Sequence, residues 1–546
     1  INGAWGLGEA VVQGMATPDE WIVFKPTLKL GFRPIVTRKL GVKEVKMVFA
    51  DDGSGGTQVR DVVETQRNRF CLAGFEVLQL AQWACAIEDH FSKRAGKSQP
   101  MDIEWAKDGI TGELFILQAR PETVHAQNTQ NFIEKYRLTG IHGAPLTSGV
   151  AVGEKIGHGN AHVLLDPEKL RTFKEGEILV TSMTDPAWEP IMKRASAIVT
   201  DRGGRTCHSA IISRELGIPC IVGSGDATEK VKSGTDITVS CAEGDRGNIY
   251  YGKIDFKVEK QKITDNDRPR TQVMMNVGDP DHAFAVSRLP NDGVGLARLE
   301  FIINNRIGIH PMALVNYPNL KRRETVDAIS KRILEEDPKE FFVRNLAEGV
   351  GRIAAAFYPK PVIVRMSDFK SNEYAMLIGG AEFEPHEENP MLGFRGASRY
   401  YDDRYRAGFR LECLALHRVR EDMGLINVKA MIPFCRTVEE GEKVIALMAE
   451  FGLVQGENDL EIYAMCELPA NVVFADEFLK IFDGYSIGSN DLTQLALGLD
   501  RDSEMVAHLF DERNGAVEKM VAMAIEAAIR NGKKIGICGQ APSDYP

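Results

Sequence analysis

Short apolar runs alternate with longer amphipathic stretches over the second half of the chain. This pattern predicts strands and helices in turn. From residue 272 onward the strand candidates are Val273–Val277, Gly293–Ala297, Val362–Val364, Val428–Pro433, Glu461–Cys466, Tyr485–Ile487 and Lys534–Ile537. Helical patterns follow several of them, as over Glu439–Phe451 and Gly515–Arg530. Strand–helix alternation of this kind predicts a parallel sheet. Seven such units are one short of a (β/α)8 TIM-type barrel, so residues 272–546 are expected to form a barrel that lacks its last unit.

The pattern upstream differs. Residues 139–253 hold short apolar strands, such as Glu177–Thr181 and Ala197–Thr200, around an apolar helix that opens near His208. Residues 121–138 and 254–271 are polar and read as linkers, which predicts that the unit between them moves as a body. Residues 1–120 begin with a glycine-rich segment and end in two strand patterns, Met101–Trp105 and Leu114–Leu117. There is no internal repeat and no low-complexity segment.

A chain of 546 residues is too long for one core and fits about three domains. The net charge of −11 gives no global electrostatic case for nucleic acid. No apolar run approaches the length needed to span a bilayer, so no membrane partner is expected. Nine cysteines lack paired metal-like spacing and fit a reducing cytoplasm. The chain opens at Ile1 without an initiator Met or a signal peptide.

The chemistry concentrates in a few places. In Asp201-Arg-Gly-Gly-Arg-Thr-Cys-His208, a histidine stands just past a Gly-Gly turn, at the start of a helix. Glycines permit the sharp turn, and the helix start offers unpaired N–H groups and the positive end of its dipole. A phosphoryl group on the imidazole would be stabilised there.

In the barrel, Arg298 ends the second candidate strand, Arg365 the third, Glu467 the fifth and Cys538 the seventh. Arg395 lies in a loop, and Asp491 follows the sixth strand. Barrel enzymes keep catalytic residues at these strand ends. Two carboxylates can hold one hard cation, Mg2+ foremost, and arginines take carboxylate or phosphate by paired hydrogen bonds. The set describes a site for a small phosphorylated carboxylic acid. A cation and an arginine there would stabilise an enolate, and the cysteine would exchange a proton with carbon. Near the N-terminus, Asp102 and Glu104 share one face of a strand, with Gln118 and Arg120 on the next. They can hold Mg2+ on a nucleotide, although such paired acids are more often just an exposed face. The Gly3–Gly14 segment is no Walker A motif, since no Gly-Lys-Ser/Thr follows.

Taken together, these motifs resemble the PEP-utilising enzyme family over essentially the whole chain. Gly-Gly-Arg-Thr-Cys-His at 203–208 resembles its phosphohistidine signature, and the segments 293–301, 362–374, 387–396 and 485–500 resemble its PEP/pyruvate barrel. Gly536-Ile-Cys-Gly-Gln-Ala-Pro-Ser-Asp544 is similar to the branch that uses water rather than phosphate. Residues 1–120 look like the later part of an ATP-grasp domain, with Glu9, Asp102, Glu104, Gln118 and Arg120 on matching positions. The earlier part of that domain and the last barrel unit have no counterpart, which reads as a fragment truncated at both ends.

The resemblance implies a relay. ATP phosphorylates His208, leaving AMP and phosphate, and a swivelling β/β/α phosphohistidine domain carries the group to pyruvate in the barrel. It implies Glu467 and Asp491 as Mg2+ ligands and Arg298, Arg365, Arg395, Ser489 and Asn490 as substrate contacts. Cys538 is implied as the acid–base group. It further implies a homodimer, and a regulatory kinase and phosphorylase acting on Thr206. Two alternatives stay open: the related dikinase that uses phosphate, and a phosphocarrier like enzyme I of the sugar phosphotransferase system.

Overall fold

The computed structural model describes all residues except 13–14, 51–55, 123–131, 141–142, 204–206, 245, 263–268, 501–502, 504 and 545–546. Strands β1 (Asn2–Gly3), β2 (Asp19–Val23) and β3 (Ile35–Lys39) form an antiparallel sheet. This sheet lies against helix Pro338–Phe357 of the C-terminal unit. Val36 has no exposed surface and joins the C-terminal core, Arg38 Nε lies 3.5 Å from Glu348, and the Arg33 N–H donates to the Asp422 carbonyl at 2.7 Å. The expected nucleotide-binding unit therefore shares its first 40 or so residues with the barrel. Strands β4 (Val45–Phe49) and β5 (Thr57–Asp61) form one antiparallel pair. Strands β6 (Met101–Lys107) and β7 (Leu114–Pro121) form another, packed on helix Gly74–Ala95.

After β8 (Phe132–Leu138) come β9 (Thr147–Val152), β10 (Ile156–Val163), β11 (Ile178–Thr181), β12 (Ala197–Thr200), β13 (Cys220–Val222), β14 (Asp236–Ser240) and β15 (Arg246–Tyr251). These last seven close into a small barrel in the order β10-β11-β12-β13-β9-β15-β14. Its interior is filled by side chains such as Ile178, Val180, Val199, Ile221 and Val239, all without exposed surface. Helix His208–Leu216 packs outside it and ends at Gly217, whose φ of +66° suits a left-handed cap.

The expected linkers are not irregular throughout. Strand β16 (Phe256–Lys262) pairs antiparallel with β8 over seven residues. Part of the polarity that read as a linker is cross-strand pairing: Glu259 opposes Lys135 and Lys260 opposes Glu134, while Lys257 opposes Arg137. Partners more than 100 residues apart cannot be matched by scanning either segment alone.

The C-terminal unit contains β17 (Met275–Val277), β18 (Val294–Arg298), β19 (Val362–Arg365), β20 (Val428–Ile432), β21 (Ile462–Cys466), β22 (Gly484–Ile487) and β23 (Lys534–Ile537). They are parallel and follow one another in sequence order. All seven expected strands are present, the first shortened by two residues. The two edges approach each other, because Asn276 Nδ2 on β17 donates to the Cys538 carbonyl just past β23 at 3.1 Å.

Alternation along each strand divides the side chains. Val362 and Val364, Val428 and Ala430, and Ile462 and Ala464 belong to the large cluster shared with the helices. Leu296, Ile363, Met431, Tyr463, Met465 and Cys538 form a separate inner cluster. Arg298, Arg365 and Glu467 continue the inner set, so the two-residue period aims them all at the barrel mouth.

Among the described residues all nine cysteines are free thiols, and no helix is long and apolar enough to cross a membrane. Replacing Val36 with Asp would place an unpaired charge in the shared core. It is expected to cost about 3–5 kcal/mol, with residues 1–40 becoming protease-sensitive before the barrel unfolds.

Candidate active site

The inner ends of β18, β19, β21 and β23 converge on one cavity of about 190 Å3. Its lining includes Arg298, Arg365, Glu467, Asp491, Cys538 and, from the histidine unit, His208. Arg298 and Arg365 are direct cross-strand partners.

Arg365 Nη2 donates to Glu300 at 3.0 Å, and its Nη1 lies 3.5 Å from Asp368. Arg395 is 3% exposed; its Nε and Nη2 reach the two Asp368 oxygens at 3.0 and 2.6 Å, and its guanidinium sits 4.0 Å from the Phe434 ring centre. Burial alone would lower the pKa of both arginines. The carboxylates around them outweigh it: Glu300, Asp368 and Glu467 for Arg365, Asp368 and Asp491 for Arg395. Both stay charged.

Glu467 has no exposed surface and its Oε1 accepts the Phe434 N–H at 2.7 Å. Burial and the nearby Asp491 and Asp368 push its carboxyl up to about 8. Among the described residues its Oε2 has no hydrogen-bond partner. Gly488 permits this packing, since a Cβ there would meet Oε2 at 2.8 Å. A buried carboxylate oxygen without a donor, beside a second carboxylate, fits a hard cation.

Ser489 and Asn490 open the helix Ser489–Leu497 beside Asp491, with Ser489 fully buried. Asn490 Oδ1 accepts from the Gln540 N–H at 3.5 Å. Cys538 is 7% exposed, and burial raises its thiol pKa, an effect that Ser486 and the Arg298 and Arg365 charges oppose.

His208 enters from the other side. Its Nδ1 lies 2.9 Å from Thr184 Oγ1, which also contacts Ser209 Oγ at 2.8 Å. Engagement of Nδ1 leaves Nε2 as the atom facing the cavity, with Glu189 Oε1 3.6 Å away. The helix begins at His208 behind Cys207, and Thr206, the expected regulatory residue, lies outside the described residues. Gly203 has φ +105°, and a Cβ there would meet Cys207 Sγ at 2.6 Å, so the turn into the helix requires glycine.

The nucleotide candidates form a separate group. Across the β6–β7 pair Asp102 opposes Arg120 and Glu104 opposes Gln118, so all four share one exposed face. Arg120 Nε donates to Asp102 at 2.9 Å. The expected metal-holding acid is thus already bridged to the expected phosphate-binding arginine. Glu9 is exposed on a different element, the short helix Glu9–Val12, which packs on β4.

Sequence reasoning missed Glu300, Asp368, Thr184, Glu189 and Glu412. Glu300 and Asp368 stood two and three residues past Arg298 and Arg365, in the segments already singled out. The others gave no local signal. Glu412, mid-helix and fully buried, accepts from Ser367 Oγ at 2.6 Å and from the Ser367 N–H at 3.1 Å. Tyr400 OH donates to the Ser367 carbonyl at 2.8 Å. The residue before Asp368 is therefore clamped. Burial, only partly offset by the Ser367 and Tyr405 hydrogen bonds, pushes the Glu412 carboxyl up to about 7.

Residues 254–546 match the PEP-binding domain of PEP-utilising enzymes, and residues 173–244 match the mobile domain of the same enzymes. Residues 1–139 match the AMP/ATP-binding domain of pyruvate phosphate dikinase. Along its whole length the chain is 59% identical to a phosphoenolpyruvate synthase of Synechocystis sp., 53% to one of Aquifex aeolicus and 54% to one of Escherichia coli. It spans 67%, 70% and 68% of those proteins respectively.

The Glu412 shift makes a stability prediction with a definite sign. A carboxyl raised on folding binds its proton more tightly in the folded state. Its contribution is complete below the unfolded value of about 4.3 and is lost as pH rises to about 7, a change on the order of 3 kcal/mol. Denaturant unfolding from pH 4 to 8 should show this fall, and Glu412→Gln should shrink it, leaving the part that the raised Glu467 carboxyl contributes.

Proposed function

The chain belongs to the phosphoenolpyruvate synthases of the PEP-utilising enzyme family, and we propose that it converts pyruvate, ATP and water to phosphoenolpyruvate, AMP and phosphate by way of a phosphoryl group on His208. The observation that carries this reading is the shared cavity. His208, its Nδ1 engaged and its Nε2 without a hydrogen-bond partner among the described residues, lines the same cavity as Arg298, Arg365, Glu467 and Cys538. A carrier histidine and a carbon-acid site need to meet only if a phosphoryl group passes between them.

In this reading Thr184 fixes the imidazole through Nδ1 and leaves the Nε2 lone pair to bear phosphorus. Arg298, Arg365 and Arg395 bind the carboxylate and the phosphoryl oxygens. Their aim is set before substrate arrives, because Asp368 and Glu300 already hold two of the guanidiniums, and preorganised charge costs no rearrangement during reaction. Glu467 and Asp491 would hold Mg2+, which when bound draws electron density from the substrate oxygens, and Ser489 and Asn490 beside them would contact the substrate. Cys538 moves the proton at the methyl carbon. Its buried thiol stands protonated, ready to donate in the direction of pyruvate. Arg298 and Arg365 favour the thiolate that the opposite direction needs. As the enolate oxygen bonds to phosphorus, the N–P bond breaks and its electron pair returns to Nε2. Storage on histidine divides one hard transfer into easier ones. Glu9, Asp102, Glu104, Gln118 and Arg120 are assigned to the nucleotide half of the relay.

Incubation with ATP, Mg2+ and pyruvate should yield AMP, phosphoenolpyruvate and orthophosphate without added phosphate. Pyrophosphate that appears only with added phosphate would assign the dikinase reaction instead. Cys538→Ala should slow phosphoenolpyruvate formation by about 10²–10⁴-fold while ATP still phosphorylates His208. His208→Asn should abolish both.

A further inference from the structure

The histidine unit is seated on the barrel through a specific contact. Phe301, just past Arg298, is 4% exposed and belongs to the same apolar cluster as Trp188, Ile191, Met192 and Ile212 of the histidine unit. Lys193 Nζ lies 5.1 Å from the centre of its ring. Beside this contact, Asn304 Nδ2 of the barrel donates to Glu189 Oε1 at 3.4 Å, and the same oxygen lies 3.6 Å from His208 Nε2. Glu189 is 3% exposed, and among the described residues its Oε2 has no hydrogen-bond partner.

A buried carboxylate this close to Nε2 distinguishes two states of the carrier. The bare imidazole tolerates it, and a protonated one would pair with it. A phosphoryl group on Nε2 carries close to two negative charges into the same space, where neither water nor salt screens the repulsion well. On the reading that His208 carries the phosphoryl group, we propose that Glu189 couples docking of the histidine unit to the state of His208, favouring the docked position for the unphosphorylated carrier. The phosphorylated carrier reaches the barrel at a cost. Transfer relieves that cost: the N–P bond breaks with its electron pair on Nε2, the O–P bond forms on the enolate, and Nε2 can then take a proton from solvent and face Glu189 as a cation. In the opposite direction, phosphorylation releases the unit toward the nucleotide site.

The test follows hydrogen exchange at the backbone amides of Leu299–Ile307, the segment that carries the Phe301 and Asn304 contacts to the histidine unit. The chain is phosphorylated with phosphoenolpyruvate and Mg2+ while pyruvate is removed enzymatically, and intact mass reports the added phosphoryl group. In the unaltered chain phosphorylation should speed exchange at these amides by about tenfold or more. In Glu189→Gln, which keeps the shape and removes the charge, the rise should shrink to less than about threefold. An equal rise in both would overturn the proposal. Asn304→Ala leaves the carboxylate in place and should keep the full rise; its loss there would show that the contact rather than the charge is responsible. Should the glutamine variant not fold, Glu189→Asp draws the charge back and should give a smaller rise, an unchanged one again overturning the idea. If phosphoenolpyruvate adds no mass to His208 in the unaltered chain, the carrier reading fails instead.

Discussion

A parallel sheet covered by helices outside and packed within leaves its charged side chains few places to go. The central strands β18–β21 of the C-terminal unit bury apolar residues on both faces. Charge is therefore confined to the strand ends and the loops beyond them. Arg298, Arg365, Glu467 and Cys538 share the inward parity of Leu296, Ile363, Met465 and Gly536, and each is the last or next residue of its strand. One side-chain period and one sheet direction thus collect two arginines, a buried carboxyl and a thiol at a single mouth.

Converging charges would repel or wander without supports. Asp368 answers this by holding Arg395 with both oxygens and approaching Arg365, while Glu300 takes the other side of Arg365. Asp368 is itself aimed by the Ser367 backbone, which Glu412 and Tyr400 fix from beneath. Each layer satisfies polar groups that burial would otherwise leave at a cost. Not every atom is satisfied: among the described residues Glu467 Oε2 has no donor, and burial with the nearby carboxylates raises the Glu467 pKa.

The same logic extends to the moving part. The histidine unit is tied to the rest by a two-stranded ribbon in which Glu259 faces Lys135 and Lys260 faces Glu134 across the strands. It rests on Phe301 and Asn304 with the His208 Nε2 already over the barrel mouth. The N-terminal sheet, by contrast, is joined to the barrel by Val36 and by the Arg38–Glu348 ion pair. One neighbour of the barrel is therefore built into its core, and the other meets it mainly through a small apolar contact and hydrogen bonds that are easier to break.

The order of strands and helices in the barrel, the helix opening at His208 and the residues at the strand ends were all legible in the sequence. Each depends on a short-range rule: the two-residue period of a strand, the apolar stripe of a helix, the turn chemistry of glycine. The residues that support the site were not legible. Asp368, Glu412, Thr184 and Glu189 act on partners up to 45 residues away or in another unit, and nothing local distinguishes a carboxylate that clamps an arginine from one that faces water. The strands within the linker segments were not legible for the same reason, since a strand rich in charge looks like a loop until its partner is known. Sequence periodicity decided which way each side chain points. Only the tertiary structure decided what it meets, because burial, and with it the strength of every charge in the site, depends on the whole fold closing around it.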